Sequence, residues 1–430
     1  MRGDEVKIAV AGLWHLGTVT AGCLASAGHE VIGLDEDAAL IGGLNAGELP
    51  VAEPGLQEIV QAELASGRLR FSTSFAEAAD ASVVWITYDT PVDDNDVADV
   101  SFVHTRAMRL LAHMADGAVL LVSSQMPVGS IQRLETDFAA QGSGRKIHFA
   151  CSPENLRLGK AISVFRSPDR VVVGVRDAET RAALEPVWEP ITPRVEWMSV
   201  ESAEMTKHAI NSFLATSICF INEIATLCER TGADALEVER GLKTDQRIGP
   251  GSYLHAGGAF AGGTLARDIA FLRSISERTG TGVPLINGVY ESNQYHKSWL
   301  TRRVREVFTS LTGKTIAILG LTYKPGTNTL RRSSAVEAAE WLHGEGARVQ
   351  GFDPQIFELP ESLQGVIHLA GSLSEALAGA EALVVMTPWP EFRELQPELA
   401  PAIVFDAARF LEPVLSKRTG LRYFSIGRAI

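Results

Sequence analysis

Gly12-Leu-Trp-His-Leu-Gly17 stands where the apolar run Lys7-Ile-Ala-Val-Ala11 gives way to residues of helical character. Glycines at such a junction act by withholding side chains. The first permits a tight turn, a middle one lets a pyrophosphate approach the backbone, and the last lets helix and strand pack closely. The helix behind them offers unpaired amides and a positive dipole end to phosphate oxygens. Here Trp14 occupies the place of the middle glycine of G-x-G-x-x-G. Asp35 supports the reading from the end of the next apolar run, Glu30-Val-Ile-Gly-Leu. A carboxylate there accepts hydrogen bonds from ribose hydroxyls and repels a 2′-phosphate, which favours NAD over NADP. Gly12, Trp14, His15, Leu16, Gly17 and Asp35 are therefore the expected cofactor contacts. The plain alternative is a glycine turn with a surface Asp. Trp14 either stacks beside the pyrophosphate or packs on a sheet edge.

A second pair with chemical capacity is Lys207 and Asn211. They lie four apart in a stretch without Pro or Gly from Ser202 to Thr231, so they share one face of a helix. The plain alternative for that face is solvation.

Positioning these residues requires an α/β frame. A helical stretch from about Thr18 to Ala27 between two apolar runs makes a strand–helix–strand unit of crossover size. Further buried-strand runs are Ser82–Thr87, Ala118–Ser123 and Arg170–Gly174. They predict a doubly wound α/β domain to about residue 195. One long helix follows, then more helical segments to about residue 305. A second α/β pattern begins at Lys314-Thr-Ile-Ala-Ile-Leu and continues with Arg348–Asp353, Ala382–Thr387 and Ala402–Asp406. The fold class is thus α/β, with two Rossmann-like doubly wound domains joined by a long central helix and a small helical region. The expected divisions are an N-terminal NAD-binding Rossmann domain at 1–200, a central helix and all-helical region at 201–305, and a C-terminal Rossmann-like domain at 312–430.

Composition narrows the partners. A chain of 430 residues exceeds one ordinary core. A net charge of −13 argues against a nucleic-acid surface, while leaving room for an anionic small ligand held by a few amides and arginines. The sequence shows no uninterrupted apolar run of about 18 residues, so no membrane span is expected. The N-terminus runs directly into a strand without the pattern of a signal peptide, which makes the expected location cytoplasmic. Cys23, Cys151, Cys219 and Cys228 show no metal spacing, so no metal is expected and the thiols are expected to be reduced.

Five segments in order give the chain a more specific likeness: Val51-Ala-Glu-Pro-Gly-Leu56, Ser152-Pro-Glu-Asn-Leu-Arg157, Glu204-Met-Thr-Lys-His-Ala-Ile-Asn-Ser-Phe-Leu214 with Phe220-Ile-Asn-Glu223, Ala259-Phe-Ala-Gly-Gly-Thr-Leu-Ala-Arg-Asp268, and Gly320-Leu-Thr-Tyr-Lys-Pro-Gly-Thr327 with Leu330-Arg331. Together they resemble the UDP-glucose/GDP-mannose dehydrogenase family. The resemblance implies a nucleotide-diphosphate sugar bound between two Rossmann-like domains and oxidised at its C6 alcohol with NAD. In that family a first hydride transfer gives an aldehyde, a cysteine traps it, a second transfer gives a thioester, and water releases the uronate.

By this likeness Lys207 and Asn211 hold the oxyanion and a water, Asp268 supports that water, and Glu154 is the first carboxylate of the Pro-Glu segment. Thr90 and Gln125 complete the cofactor site. Leu156, Arg157, Arg247, Tyr253, Gly257, Lys324 and Arg331 join Glu154, Lys207 and Asn211 as substrate contacts. Arg247 resembles an Arg that reaches a neighbouring subunit, and a homodimer through the long helix is implied.

The departures form a pattern. Thr264 stands at the position of the nucleophilic cysteine. Leu158 replaces a second glutamate, Arg267 a Lys, and Gln125 a Thr near the nicotinamide. Asn328 and Thr329 replace an acidic pair. A threonine hydroxyl is too weakly acidic to attack without a dedicated base. The covalent half of the reaction is therefore expected to be disabled and the hydride half preserved. The expected function is an NAD-dependent oxidation of a nucleotide-sugar CH–OH group that stops at the carbonyl level. The alternatives are an epimerase or lyase using a transient carbonyl, a non-catalytic nucleotide-sugar-binding homologue, and an orthodox four-electron dehydrogenase in which Cys151 or a water route serves.

Overall fold

The computed structural model describes residues 5–93, 98–154, 156–260, 263–331 and 333–428. Parts of three sequence readings lie outside the described residues: the first four residues, Asn155 of the Pro-Glu segment, and Ala261 with Gly262 of the Thr264 signature. The chain divides into two units, 1–210 and 211–430, and the division falls inside a single helix, Val200–Thr231.

In the first unit the apolar runs become one sheet of β1 (Lys7–Ala11), β2 (Glu30–Leu34), β3 (Leu69–Ser72), β4 (Val83–Ile86), β5 (Val119–Val122), β6 (His148–Cys151), β7 (Val171–Val175) and β8 (Val195–Met198). The order is β3-β2-β1-β4-β5-β6-β7-β8. Its first six strands follow the doubly wound dinucleotide order, with the direction of winding reversing between β1 and β4. Side chains alternate across β1. Ile8 and Val10 enter one core with Val19 and Leu24, while Ala9 and Ala11 enter another with Val103 and Leu110. Strands buried on both faces read as continuous apolar runs, which is why β1, β4 and β5 were legible.

Three details differ from the sequence reading. β7 runs antiparallel to β6. β3, β6 and β8 were not anticipated, because Arg70, His148 and Glu196 interrupt their short runs. The helix expected from Thr18 begins earlier, as His15–Ser26, because Trp14 caps it without any side-chain hydrogen bond that would mark the start.

The second unit holds a parallel sheet of β9 (Thr315–Leu319), β10 (Arg348–Phe352), β11 (Ile367–Leu369), β12 (Ala382–Val385), β13 (Ile403–Asp406) and β14 (Arg422–Phe424). Its order, β11-β10-β9-β12-β13-β14, repeats that of the first six strands. Ile316 and Ile318 face a core shared with Ile221, Ala225, Trp299 and Val304, and Ala317 and Leu319 face Leu383, Phe392 and Leu395. The helices Ala235–Thr244, Thr264–Thr279, Pro284–Lys297 and Trp299–Val307 lie between the central helix and β9 in sequence.

The central helix, Val200–Thr231, starts two residues before the predicted point. By length and composition alone it is long and apolar enough to cross a membrane. Several of its polar residues are nonetheless engaged by protein. Glu229, for example, is buried and accepts from the Arg303 guanidinium, from Trp299 Nε1 at 3.0 Å and from the Gly427 amide at 3.0 Å. Phe213, Phe220 and Leu227, spaced by seven, stay 72%, 48% and 60% exposed.

Candidate active site

At the end of β1 the chain turns through Gly12 with φ +97°. A Cβ there would lie 2.6 Å from the Tyr88 ring, and one on Gly17 would lie 1.8 Å from the Gly12 carbonyl oxygen. Both positions therefore require glycine, for the turn and for close packing of the helix. Trp14 has φ −76° and needs no such freedom, so a large residue is accommodated in place of the middle glycine. Its side chain is half exposed beside a cleft of about 610 Å³ lined also by Gly12, Asp35, Tyr88 and Arg106. This disfavours packing on the sheet edge. Leu16 is buried.

Asp35 Oδ2 accepts from the Leu13 amide at 2.9 Å and Oδ1 from the Asp37 amide at 3.2 Å. A carboxylate has about four lone-pair sites, so acceptor capacity remains for ribose hydroxyls. The nearby Arg106 and Arg109 are already paired with Glu36, which disfavours their capture of a 2′-phosphate. Amides at a helix start, glycines without room for a Cβ and a ribose-ready carboxylate together fit an NAD dinucleotide.

His15 opens the cofactor helix and brings in a residue the sequence reading passed over. Its Nε2 lies 2.8 Å from Glu53 Oε2. The same oxygen accepts from the Gly159 amide at 2.8 Å, and Glu53 Oε1 accepts from the Ala161 amide at 2.8 Å. Burial alone would raise the Glu53 carboxyl pKa, but the Gly159 amide, His15 and the Ala161 amide outweigh it and hold the group below its ordinary value. Glu53 was visible only as part of a Glu-Pro-Gly-Leu segment. Its partners lie 38 to 108 residues away, so no local pattern announces its role.

A second cavity in the first unit is lined by Gln125, Glu154, Glu204 and Lys207. Thr90 is buried, and its hydroxyl donates to the Gln125 carbonyl at 2.7 Å. The Glu204 carboxylate accepts from the Gly129 and Ile131 amides at 2.7 and 3.1 Å. It thereby caps the Ser130–Ala140 helix and fixes the segment that follows Gln125. Burial raises the Glu204 pKa, and the two amides partly offset it. Lys207 is only 9% exposed, which disfavours a solvated face. Its Nζ donates to the Glu154 carbonyl at 2.6 Å and lies 3.7 Å from Glu154 Oε1, while Glu154 Oε2 accepts from the Leu156 amide at 2.7 Å. A desolvated ammonium held in this way can stabilise negative charge developing on an oxygen. Arg157 and Leu158, farther along the same segment, are exposed.

In the second unit Asn211 is 6% exposed, one helical turn beyond Lys207 on the same helix. Its Nδ2 donates to Asp268 Oδ2, and Asp268 is fully buried. Thr264 is the first residue of the Thr264–Thr279 helix and is exposed, one turn before Asp268. The Asn–Asp pair can accept and pass a proton or fix a polar group. Thr264 brings no thiol to the helix start.

The remaining substrate candidates also lie in the second unit. Arg247 extends into solvent with Asp245 held by two of its nitrogens. Tyr253 is half exposed, and Gly257 is fixed by Asn222 and His296. Lys324 and Arg331 are exposed on the segment after β9, at the carboxyl end of a strand where the winding reverses. Asp353 ends β10 as Asp35 ends β2, but it is buried and accepts from Leu321, Thr322, Gln355 and Trp389. Its capacity is taken up inside the protein, so the second sheet has no equivalent ribose acceptor at that place.

All four cysteines are buried. Burial pushes the Cys23 thiol up to about 12 and Cys219 to about 11, and it raises Cys151 and Cys228 as well.

Models of three consecutive domains described as the UDP-glucose/GDP-mannose dehydrogenase family match the chain: the NAD binding domain over residues 6–192, the central domain over 201–295 and the UDP binding domain over 317–413. The chain is 35% identical to a UDP-glucose 6-dehydrogenase of Rhizobium meliloti (strain 1021), covering 98% of this chain and 100% of that protein. It is 33% identical to one from Pseudomonas aeruginosa, with 98% of each covered. Among solved structures, a UDP-glucose dehydrogenase from Pyrobaculum islandicum superposes with a TM-score of 0.85 at 30% identity, covering 95% of this chain and 96% of that one. A UDP-D-ManNAc dehydrogenase from Pyrococcus horikoshii superposes with a TM-score of 0.83 at 25% identity, covering 98% and 99%.

Proposed function

The chain belongs to the UDP-glucose/GDP-mannose dehydrogenase family, and from that premise we propose that it oxidises an alcohol of a nucleotide-diphosphate sugar by one hydride transfer per turnover, stopping at the carbonyl level. The names of its relatives put UDP-glucose first among the sugars to be tried. The observation that carries the proposal is the state of the thiols. Thr264 stands where the family resemblance puts the nucleophilic cysteine, and every cysteine of the chain is buried with a raised thiol pKa. A neutral, enclosed thiol is a poor nucleophile, and a threonine hydroxyl needs a base to become one.

NAD, when bound, accepts the hydride. The residues proposed to hold it are Gly12, Trp14, His15, Leu16, Gly17, Asp35, Thr90 and Gln125. Lys207 stabilises the alkoxide oxygen as the alcohol proton leaves. Asn211 and Asp268 orient a water that takes up that proton. Glu154 holds Lys207 in place through its carbonyl and carboxylate. Leu156, Arg157, Arg247, Tyr253, Gly257, Lys324 and Arg331 bind the nucleotide sugar, with the two arginines at 247 and 331 suited to phosphate oxygens.

The division into an NAD-binding part at 1–200, a helical part at 201–305 and a nucleotide-sugar-binding part at 312–430 belongs to the same proposal. So does a homodimer through the central helix, supported by the exposed stripe of Phe213, Phe220 and Leu227. The activity proposal is tested by the product. The protein is incubated with NAD and UDP-, GDP-, ADP- and TDP-sugars beside an aldehyde-trapping reagent, and product masses are read. A carbonyl product, two hydrogens lighter than the substrate and heavier by the reagent once captured, supports the reading. A product that has gained one oxygen for two hydrogens overturns it.

A further inference from the structure

The Glu53 side chain joins the start of the cofactor helix to the segment carrying Glu154, Leu156 and Arg157. That side chain is 1% exposed. One oxygen is shared by His15 Nε2 and the Gly159 amide, and the other takes the Ala161 amide. An ionised carboxylate accepts only, so Nε2 of His15 carries the proton in this contact. Ala161 begins the Ala161–Arg166 helix, and Gly159 turns with φ +85° just before it. The chain after Glu53 is equally constrained. The ring of Pro54 fixes φ at that residue, Gly55 has φ +82°, and Leu56 is buried in the core that holds Val19 and Leu24 of the cofactor helix. The Glu53 backbone therefore has little freedom, and movement at one end of its hydrogen bonds is passed to the other.

We infer that Glu53 is a positioning residue that couples the two ligands: settling the pyrophosphate against His15 and the cofactor turn draws Glu154, Leu156 and Arg157 into their sugar-binding arrangement, and the reverse. This rests on the proposed nucleotide-sugar reading. Coupling of this kind is reciprocal, so each ligand must tighten the other by the same factor, commonly about 5- to 150-fold.

The test uses the full chain with NADH and UDP-glucose, a pair that cannot react because the cofactor is already reduced. The Kd of each is measured alone and with the other saturating, for the wild type, Glu53→Gln and His15→Phe. His15→Phe removes the donor but keeps the ring, the carboxylate and both backbone amides, so it carries the test if Glu53→Gln fails to fold. The expected result is a coupling factor of at least about fivefold in the wild type, falling to about one in each variant. A Glu53 that merely supports the fold would weaken both ligands and leave their ratio intact; an unchanged coupling factor in the variants overturns the inference while leaving the proposed function standing. A wild type that binds NADH but none of the UDP-, GDP-, ADP- and TDP-sugars overturns both.

Discussion

Gly17 and Lys207 carry the sharpest consequences for single side chains. Gly17→Ala places a methyl group 1.8 Å from the Gly12 carbonyl oxygen, a separation that the turn must relieve by moving. The expected outcome is loss of NADH binding in a fluorescence titration, with the second unit's unfolding unaffected. Lys207→Met removes the cation that contacts Glu154 and leaves the helix face packed. Its kcat should fall by about 10²- to 10³-fold, the usual cost of removing one donor at a developing oxyanion, while the Kd for NADH stays near the wild-type value. Gly12, Gly17 and Asp35 were legible in the sequence because their chemistry depends on near neighbours in the chain. Glu53 and Glu204 were not, because their partners are backbone amides brought close only by the tertiary fold. The burial of Lys207 and Asn211 was likewise invisible, since spacing gives a shared face and not what covers it.

Among the elements, the central helix is tied to its surroundings in the second unit by a buried ion pair. Arg303 is 6% exposed and meets Glu229 and Glu306. Glu229→Ala leaves this guanidinium with one carboxylate and strands Trp299 Nε1 and the Gly427 amide. Breaking one side of a buried pair commonly costs about 3 kcal/mol or more. For a unit of this size that corresponds to a Tm lower by roughly 6–12 °C in calorimetry. The helix itself was evident from thirty residues without Pro or Gly and from recurring apolar positions. Strands buried on both faces were evident as unbroken apolar runs. The short strands β3, β6 and β8 were not, since a single Arg, His or Glu in four residues removes the signal.

For the molecule as a whole, the sequence set out two α/β sheets with a helical stretch between them, and the repeated strand order bears out the pairing of similar folds. Assembly is a separate question. Phe213, Phe220 and Leu227 form an exposed stripe at heptad spacing, the arrangement by which one helix seats against another. In light scattering the wild type should be a dimer, and Phe213→Asp with Phe220→Asp should give a folded monomer; a double variant that remains dimeric removes the stripe from the interface. The central claim concerns electrons. The most direct measurement is the amount of NADH formed per nucleotide sugar consumed, followed to completion with UDP-glucose and the other sugars of the panel. One NADH per sugar is the result predicted from Thr264 and the four enclosed thiols. Two NADH per sugar would show that the second oxidation proceeds without the cysteine and would contradict the account.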